Sequence, residues 1–140
     1  MKRIKFIFAL AAMVALIIGF SSCSDNEKSV RGTSWVNVLV FNNNTMRETI
    51  TITFTSGTAG RMDIVLENIA GAEPVLIEEE TILFTYTFHD PIVKITYFDE
   101  EAGEYVTNTG TVRGSNLRLN MHMFTNPVTG AVPNVLFRKQ

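Results

Sequence analysis

The chain has 140 residues, of which 46% are hydrophobic, and a formal net charge of −2. Lys2, Arg3 and Lys5 lie in an N-terminal targeting segment, so the rest of the chain keeps 9 basic residues against 14 acidic ones, a net charge of −5. This charge argues against nucleic acid as a partner, and the remaining length suits one domain that needs neither disulfides nor a structural metal.

The N-terminal segment has the pattern of an export signal. Its basic residues are followed by an uncharged apolar run, Phe6–Phe20, and then by small residues up to Ser22. We therefore predict a signal peptide over residues 1–22, cleaved after Ser22. A permanent N-terminal membrane helix is the alternative, but the apolar run is shorter than the roughly 20 residues that such a helix needs.

The next residue, Cys23, is the only cysteine, so it cannot form an internal disulfide. A single thiol in an exported chain indicates a modified residue or an intermolecular pair. The segment from Phe20 to Cys23 resembles a lipobox, with phenylalanine where the common lipobox has leucine, as in looser lipoboxes of Bacteroidota lipoproteins. The resemblance implies diacylglycerol on the Cys23 sulfur and a lipid anchor in the outer membrane. Two or three acyl chains hold a small domain firmly, whereas one does not.

Residues 23–31 form a lipidated tether in this interpretation. Ser24-Asp25-Asn26-Glu27 resembles the acidic surface-export signal of Bacteroidota lipoproteins, which favours display on the cell surface. An ordinary polar tether is the alternative, because any flexible linker is expected to be small and charged. The sequence thus leaves surface and periplasmic orientations open.

The domain over residues 32–140 shows the two-residue alternation of β-strands throughout. Apolar residues that are β-branched or aromatic alternate with polar ones, and Gly, Pro, Asn and Asp clusters separate the runs. The longest gap, between residues 68 and 81, contains Glu78-Glu79-Glu80, which we interpret as a solvated loop. The predicted strands are 35–41, 48–54, 61–67, 82–88, 92–98, 104–112, 116–123 and 134–138.

Short connections between most of these strands favour sequential antiparallel hairpins. Closing such a meander removes its two exposed edges. We therefore predict an all-β fold, an eight-stranded antiparallel up-and-down barrel. An open two-sheet sandwich is the alternative. A transmembrane barrel fits poorly, because its strands need roughly 9–11 residues each.

The start and end of the domain resemble those of lipocalins and related calycins. Gly32-Thr33-Ser34-Trp35 is similar to their Gly-x-Trp opening, although two residues separate the glycine from the tryptophan here. Thr53-Phe54-Thr55-Ser56-Gly57 and the short last strand are similar to small lipocalin-like lipoproteins of Bacteroidota. The resemblance implies a barrel closed at one end by Trp35, with a basic residue of the last strand, Arg138, across the indole ring.

The inward face supplies the candidate ligand pocket. An eight-stranded barrel either packs solid with side chains or holds one small ligand, and the aromatic and methionine content favours the solid core. If there is a pocket, aromatic residues with polar groups line it. Its residues are Phe54, Phe84, Tyr86, Tyr97 and Met121.

No catalytic motif or metal site is found. His89 and His122 are interpreted as surface histidines, and the acidic runs, including Asp99-Glu100-Glu101, as loops. We expect no enzyme activity, cofactor or metal. We expect instead a binding module for a small apolar ligand or a cell-envelope partner. The alternative is an inhibitor of a protease or lysozyme, with the loop over residues 126–133 as its contact.

Overall fold

The computed structural model describes residues 29–140, so Ser22, Cys23 and most of the tether lie outside the described part. Eight strands account for nearly all of the regular structure, and one short 3-10 helix, His122–Phe124, follows the seventh strand. In the described part, no helix is long and apolar enough to cross a membrane. The strands are β1 Ser34–Phe41, β2 Met46–Phe54, β3 Ala59–Asn68, β4 Val75–His89, β5 Ile92–Asp99, β6 Glu104–Arg113, β7 Asn116–Asn120 and β8 Asn134–Lys139.

These strands form a closed barrel in which each pairs antiparallel with its neighbours in sequence. The barrel closes where β1 meets β8, through the pairs Trp35–Lys139 and Val36–Arg138. The prediction of an all-β, eight-stranded antiparallel up-and-down barrel is confirmed, and the open sandwich is excluded. The arrangement is compatible with a lipocalin-like fold.

The core lies inside the barrel because the strand register places one face of each strand together. Across β2, β3 and β4, for example, Ile52 pairs with Met62 and Met62 with Ile82. Burying one such side chain stabilises the fold by about 1.5–3 kcal/mol. The buried core comprises Val30, Trp35, Ile50, Ile52, Phe54, Met62, Phe84, Tyr86, Val93, Ile95, Tyr97, Leu117, Leu119, Met121 and Phe137.

Trp35, which is 2% exposed, lies at the seam between β1 and β8 near one end of the barrel, and we call this the closed end. The Trp35 Nε1–H donates to Thr33 Oγ1 at 2.8 Å, and this bond fixes the orientation of the indole. The cation over the ring is Lys139, whose Nζ lies 6.0 Å from the ring centroid. The assignment of this role to Arg138 is therefore corrected. Arg138 instead donates a hydrogen bond to Asn116. Residues directly opposite in an antiparallel pair share a face, and Lys139 is the one opposite Trp35.

Each strand differs from its predicted bounds by at least one residue, and two of the differences change the interpretation. β4 begins at Val75 rather than at residue 82, because it pairs with β3 as far as Asn68. Glu78, Glu79 and Glu80 are thus strand residues, and their interpretation as a loop was wrong. β7 ends at Asn120 rather than at residue 123, where the chain turns into the 3-10 helix.

Candidate functional site

Charge is distributed unevenly between the two ends of the barrel. The closed end, where β6 and β8 finish, carries the basic side chains of Arg31, Arg113, Arg138 and Lys139. The opposite end, where β3 and β5 finish, is the acidic end. Its carboxylates include Glu48, Glu78, Glu79, Glu80, Asp99, Glu100, Glu101 and Glu104, while Glu67 at the same end is paired with Arg47.

At the acidic end the barrel wall opens between β4 and β5. The ladder between these strands stops at the pair Thr85–Thr96. Beyond that pair, β4 continues along β3 as far as Val75, and β5 continues along β6 as far as Asp99. The opening, which we call the wall cleft, has a volume of about 750 Å³. It is lined by Glu80, Thr81, Ile82, Leu83, Tyr97, Phe98, Asp99, Glu100, Glu101 and Met123.

A smaller cavity adjoins the wall cleft at the mouth of the barrel. It has a volume of about 240 Å³ and shares Glu80 and Met123 with the cleft. Its other lining residues combine apolar and acidic side chains. They are Glu48, Ile64, Leu66, Glu78 and Phe124.

Glu48 reaches this mouth because it continues the inward face of β2. The alternation that buries Ile50 also turns Glu48 inward, and the register places it beside Leu66, which pairs in turn with Glu78. Burial raises the pKa of Glu48 above its ordinary value. Neither Glu48 nor Glu80 has an ion-pair partner among residues 29–140. The mouth therefore holds uncompensated negative charge.

Tyr97 is the buried polar residue of the wall cleft. Its side chain is 3% exposed, and its hydroxyl has no hydrogen-bond partner in the described part of the chain. The Asn108 side chain lies near the hydroxyl without meeting hydrogen-bond geometry; one of its amide N–H groups donates to Met121 Sδ at 3.7 Å, and its oxygen accepts from the His122 N–H at 3.1 Å. Burial raises the pKa of Tyr97, the Asp99 and Glu80 carboxylates also raise it, and Asn108 lowers it.

The main chain of β4 also faces the wall cleft. The Tyr86 N–H donates to the Thr58 carbonyl at 2.8 Å, on the β3 side. Because main-chain groups of successive strand residues point to opposite sides, those of Thr85, Leu83 and Thr81 point toward β5. Thr85 finds its partner there, in Thr96, but the ladder ends at that pair. The edge of β4 beyond Thr85 is therefore available for a further strand.

The residues predicted to line a ligand pocket lie in the packed core instead. The Phe54 ring contacts those of Phe84 and Tyr86, with centroids 5.7 and 4.7 Å apart in edge-to-face geometry. Met121 is fully buried, and the Tyr86 hydroxyl donates to the Ser56 carbonyl at 2.6 Å. The barrel is filled at this level, and Tyr97 is the member of the set that lines the wall cleft.

The two histidines do not meet. His89 ends β4 at the closed end, whereas His122 begins the 3-10 helix at the acidic end. Among residues 29–140, no group of three or more His, Cys, Asp or Glu side chains is arranged to hold a metal ion.

Sequence reasoning missed the acidic side chains as a site. Glu48 was detectable, because it lies on the same alternating face as Ile50 and Ile52. Glu80 was assigned to a loop, and nothing local to Leu83 or Phe98 indicates that the β4–β5 ladder ends beside them.

Comparison with protein-family models, with curated proteins and with solved structures found no match to the chain. The function is therefore inferred from the geometry and charge of the barrel. The wall cleft and the adjoining mouth combine open volume, exposed apolar surface and unpaired carboxylates, and they form the candidate site.

Proposed function

We propose that the mature chain is a non-enzymatic binding module, anchored through lipid on Cys23, that binds a cell-envelope partner at its acidic end. The observation that carries the proposal is the wall cleft, an opening of about 750 Å³ where the β4–β5 ladder stops. The filled interior around Phe54 favours a partner bound at this surface over an apolar ligand enclosed deep in the barrel.

The position of the tether supports this arrangement. The first described residue, Ser29, lies beside the closed end, so the short segment from Cys23 reaches the barrel there. Basic side chains at that end, such as Arg113 and Lys139, suit a surface of anionic lipid head groups, which attracts nearby Lys and Arg residues. The acidic end then points away from the membrane, toward partners on the cell surface.

Site-specific photocrosslinking in intact cells tests the proposal. A photoreactive amino acid replaces Phe98 in the wall cleft or, as the control, Thr109, which is exposed on the outer face of β6. We expect a discrete crosslinked adduct from position 98 and none from position 109. Equal crosslinking at both positions, or none at position 98, overturns the proposal.

A second candidate function, inhibition of a hydrolase, is favoured by the loop over residues 126–133. Val128 is 90% exposed at its tip. Asn126 braces the loop, since its Oδ1 accepts from the N–H groups of Val128 and Thr129 at 2.8 and 3.1 Å. Its main chain also bonds Gly130 and Ala131. A rigid loop with one apolar side chain presented at its tip suits insertion into an enzyme cleft.

Enzyme assays separate the two functions. The mature chain and its Val128→Asp variant are added to a lysozyme and to a panel of serine proteases. Inhibition that disappears in the variant would establish the inhibitor function. If the unmodified chain inhibits none of these enzymes, we expect crosslinking from position 98 to remain, since that position lies outside the loop.

A further inference from the structure

The wall cleft combines a free strand edge, carboxylates and exposed apolar side chains. We propose that it binds an extended peptide segment bearing lysine or arginine side chains, which adds as a strand along the free edge of β4. The inference rests on the proposed function, because it names the chemistry of the partner at the same site.

The free edge of β4 provides the main-chain contacts. Thr81 and Leu83 direct their N–H and C=O groups toward the cleft, beyond the last β4–β5 pair, Thr85–Thr96. On its other side, β4 is held by an uninterrupted run of pairs with β3 from Leu66 to Ala59. An added strand recognises such an edge through main-chain hydrogen bonds, and this mode of recognition is specific to extended peptides.

The charge of the cleft selects a cationic partner. Glu80, Asp99 and Tyr97 line the same cleft, and both carboxylates raise the pKa of the Tyr97 hydroxyl. No lysine or arginine lines the cleft, and Glu80 has no ion pair in the described part of the chain. One carboxylate oxygen of Asp99 already has hydrogen-bond donors, because its Oδ1 accepts from the N–H groups of Glu101 and Ala102 at 2.9 Å.

The buried hydroxyl of Tyr97 is a second observation, separate from the charge of the cleft, that indicates a ligand. A buried hydroxyl without a partner costs roughly 1–3 kcal/mol, so such groups in native proteins call for an explanation. The Tyr97 hydroxyl is such a group within the described part of the chain, and the Tyr97 side chain lines the cleft together with Glu80 and Asp99. A phenol donates to a peptide carbonyl and accepts from a lysine ammonium, and a basic peptide offers both groups.

The apolar lining suits the same partner. Leu83 is 74% exposed and Phe98 is 48% exposed. Long basic side chains bury their methylene stems on apolar surface while their charged heads remain beside carboxylates. In an added strand, the side chains that turn outward would contact Leu83 and Phe98 through their stems, and those that turn inward would reach Glu80 with their charge.

Peptide binding to the mature chain, purified in detergent micelles, tests the inference. The probe is a fluorescent octapeptide of alternating lysine and threonine, with an octapeptide of alternating glutamate and threonine as the control. Anisotropy should show binding of the first peptide alone, weakened as salt rises from about 0.1 M to about 1 M. The main-chain amide signals of Thr81 and Leu83 should shift in NMR spectra.

Matched variants locate the binding. The double variant Glu80→Gln/Asp99→Asn keeps the side-chain oxygens that brace the turn and should weaken binding about tenfold or more. Glu79→Gln is compared with the single variant Glu80→Gln as the control, because it removes one carboxylate from the opposite face of β4 and should leave binding unchanged. Full displacement of the peptide by spermine at equal charge concentration would show that charge alone is recognised.

Three results overturn the inference: no binding of the lysine peptide, equal weakening by Glu79→Gln, or displacement by spermine. They differ from failure of the proposed function. If crosslinking from position 98 persists while the lysine peptide does not bind, the acidic end binds a partner of another chemistry. If both are lost, both proposals fail.

Discussion

Removing the hydroxyl of Tyr97 should stabilise the barrel. In Tyr97→Phe, the ring stays in the core, and a buried oxygen without a partner in the described part of the chain disappears. Leaving such a group unsatisfied costs roughly 1–3 kcal/mol. We therefore expect the free energy of unfolding to rise by about 1 kcal/mol, the lower end of this range. The nearby Asn108 side chain interacts favourably with the hydroxyl, as its lowering of the Tyr97 pKa indicates, and so offsets part of the cost.

The same substitution at Tyr86 should have the opposite sign. Tyr86 is also buried, but its hydroxyl donates to the Ser56 carbonyl at 2.6 Å. A typical hydrogen bond contributes about 0.5–1.5 kcal/mol net, so Tyr86→Phe should destabilise the barrel by about 1 kcal/mol. The two variants thus differ by about 2 kcal/mol, although each removes one oxygen atom from an inward-facing tyrosine.

Urea unfolding of the mature chain, followed by tryptophan fluorescence of Trp35, measures both changes. A difference of 1 kcal/mol corresponds to about 4 °C in melting temperature for a domain of this size, so a thermal scan provides a check. If Tyr97→Phe destabilises the chain as much as Tyr86→Phe does, the Tyr97 hydroxyl has a partner in the folded protein. The reasoning on the wall cleft would then lose its buried polar group.

Three further predictions concern charge, packing and export. Burial raises the pKa of Glu48 above 4.5, so its ionisation destabilises the fold as pH rises past that value. Glu48→Gln should raise the urea midpoint at neutral pH and leave it unchanged below about pH 4. Gly110→Ala would place a Cβ 1.9 Å from the Arg118 carbonyl oxygen and should cost about 3 kcal/mol. Gly57→Ala meets nothing within 4 Å and should be neutral in the same melting assay. Cys23→Ser should leave a precursor that fractionation finds uncleaved or without lipid, and normal maturation would refute the anchor.

Some strands were predictable because their pattern is local. Val93, Ile95 and Tyr97 alternate with Lys94 and Thr96, and β5 extends only one residue beyond the predicted strand 92–98, to Asp99. Residues 61–67 likewise lie within β3. In both strands one face meets the core and the other meets solvent, so burial follows the two-residue period of the backbone.

The predicted bounds of β4 and β7 were wrong because residues distant in the sequence decide where these strands begin and end. Glu is disfavoured in strands, yet Glu78 to Glu80 continue β4 because β3 supplies a pairing partner along their whole length. Met121 and His122 continue the alternation of β7, but the chain leaves the sheet there, and the buried Asn108 on β6 accepts the His122 N–H. Neither partner can be identified from the sequence around the segment itself.

The choice between Arg138 and Lys139 shows how finely register matters. A shift of one residue moves a side chain to the other face of a sheet. The sequence provides two adjacent cations at the end of β8, and both are reasonable partners for an indole ring. Only the pairing of Lys139 with Trp35 across the closing seam decides which one lies over the ring.

The sequence by itself determined the all-β class, the number of strands, their meander order and the residues of the inward face. These follow from short-range alternation and turn residues, which act within a few positions of the chain. Tertiary structure alone decided that the core is filled around Phe54, that carboxylates gather at one end and that the wall opens beside Tyr97. The length of the β4–β5 ladder depends on how the whole barrel closes, and closure is a property of all eight strands together.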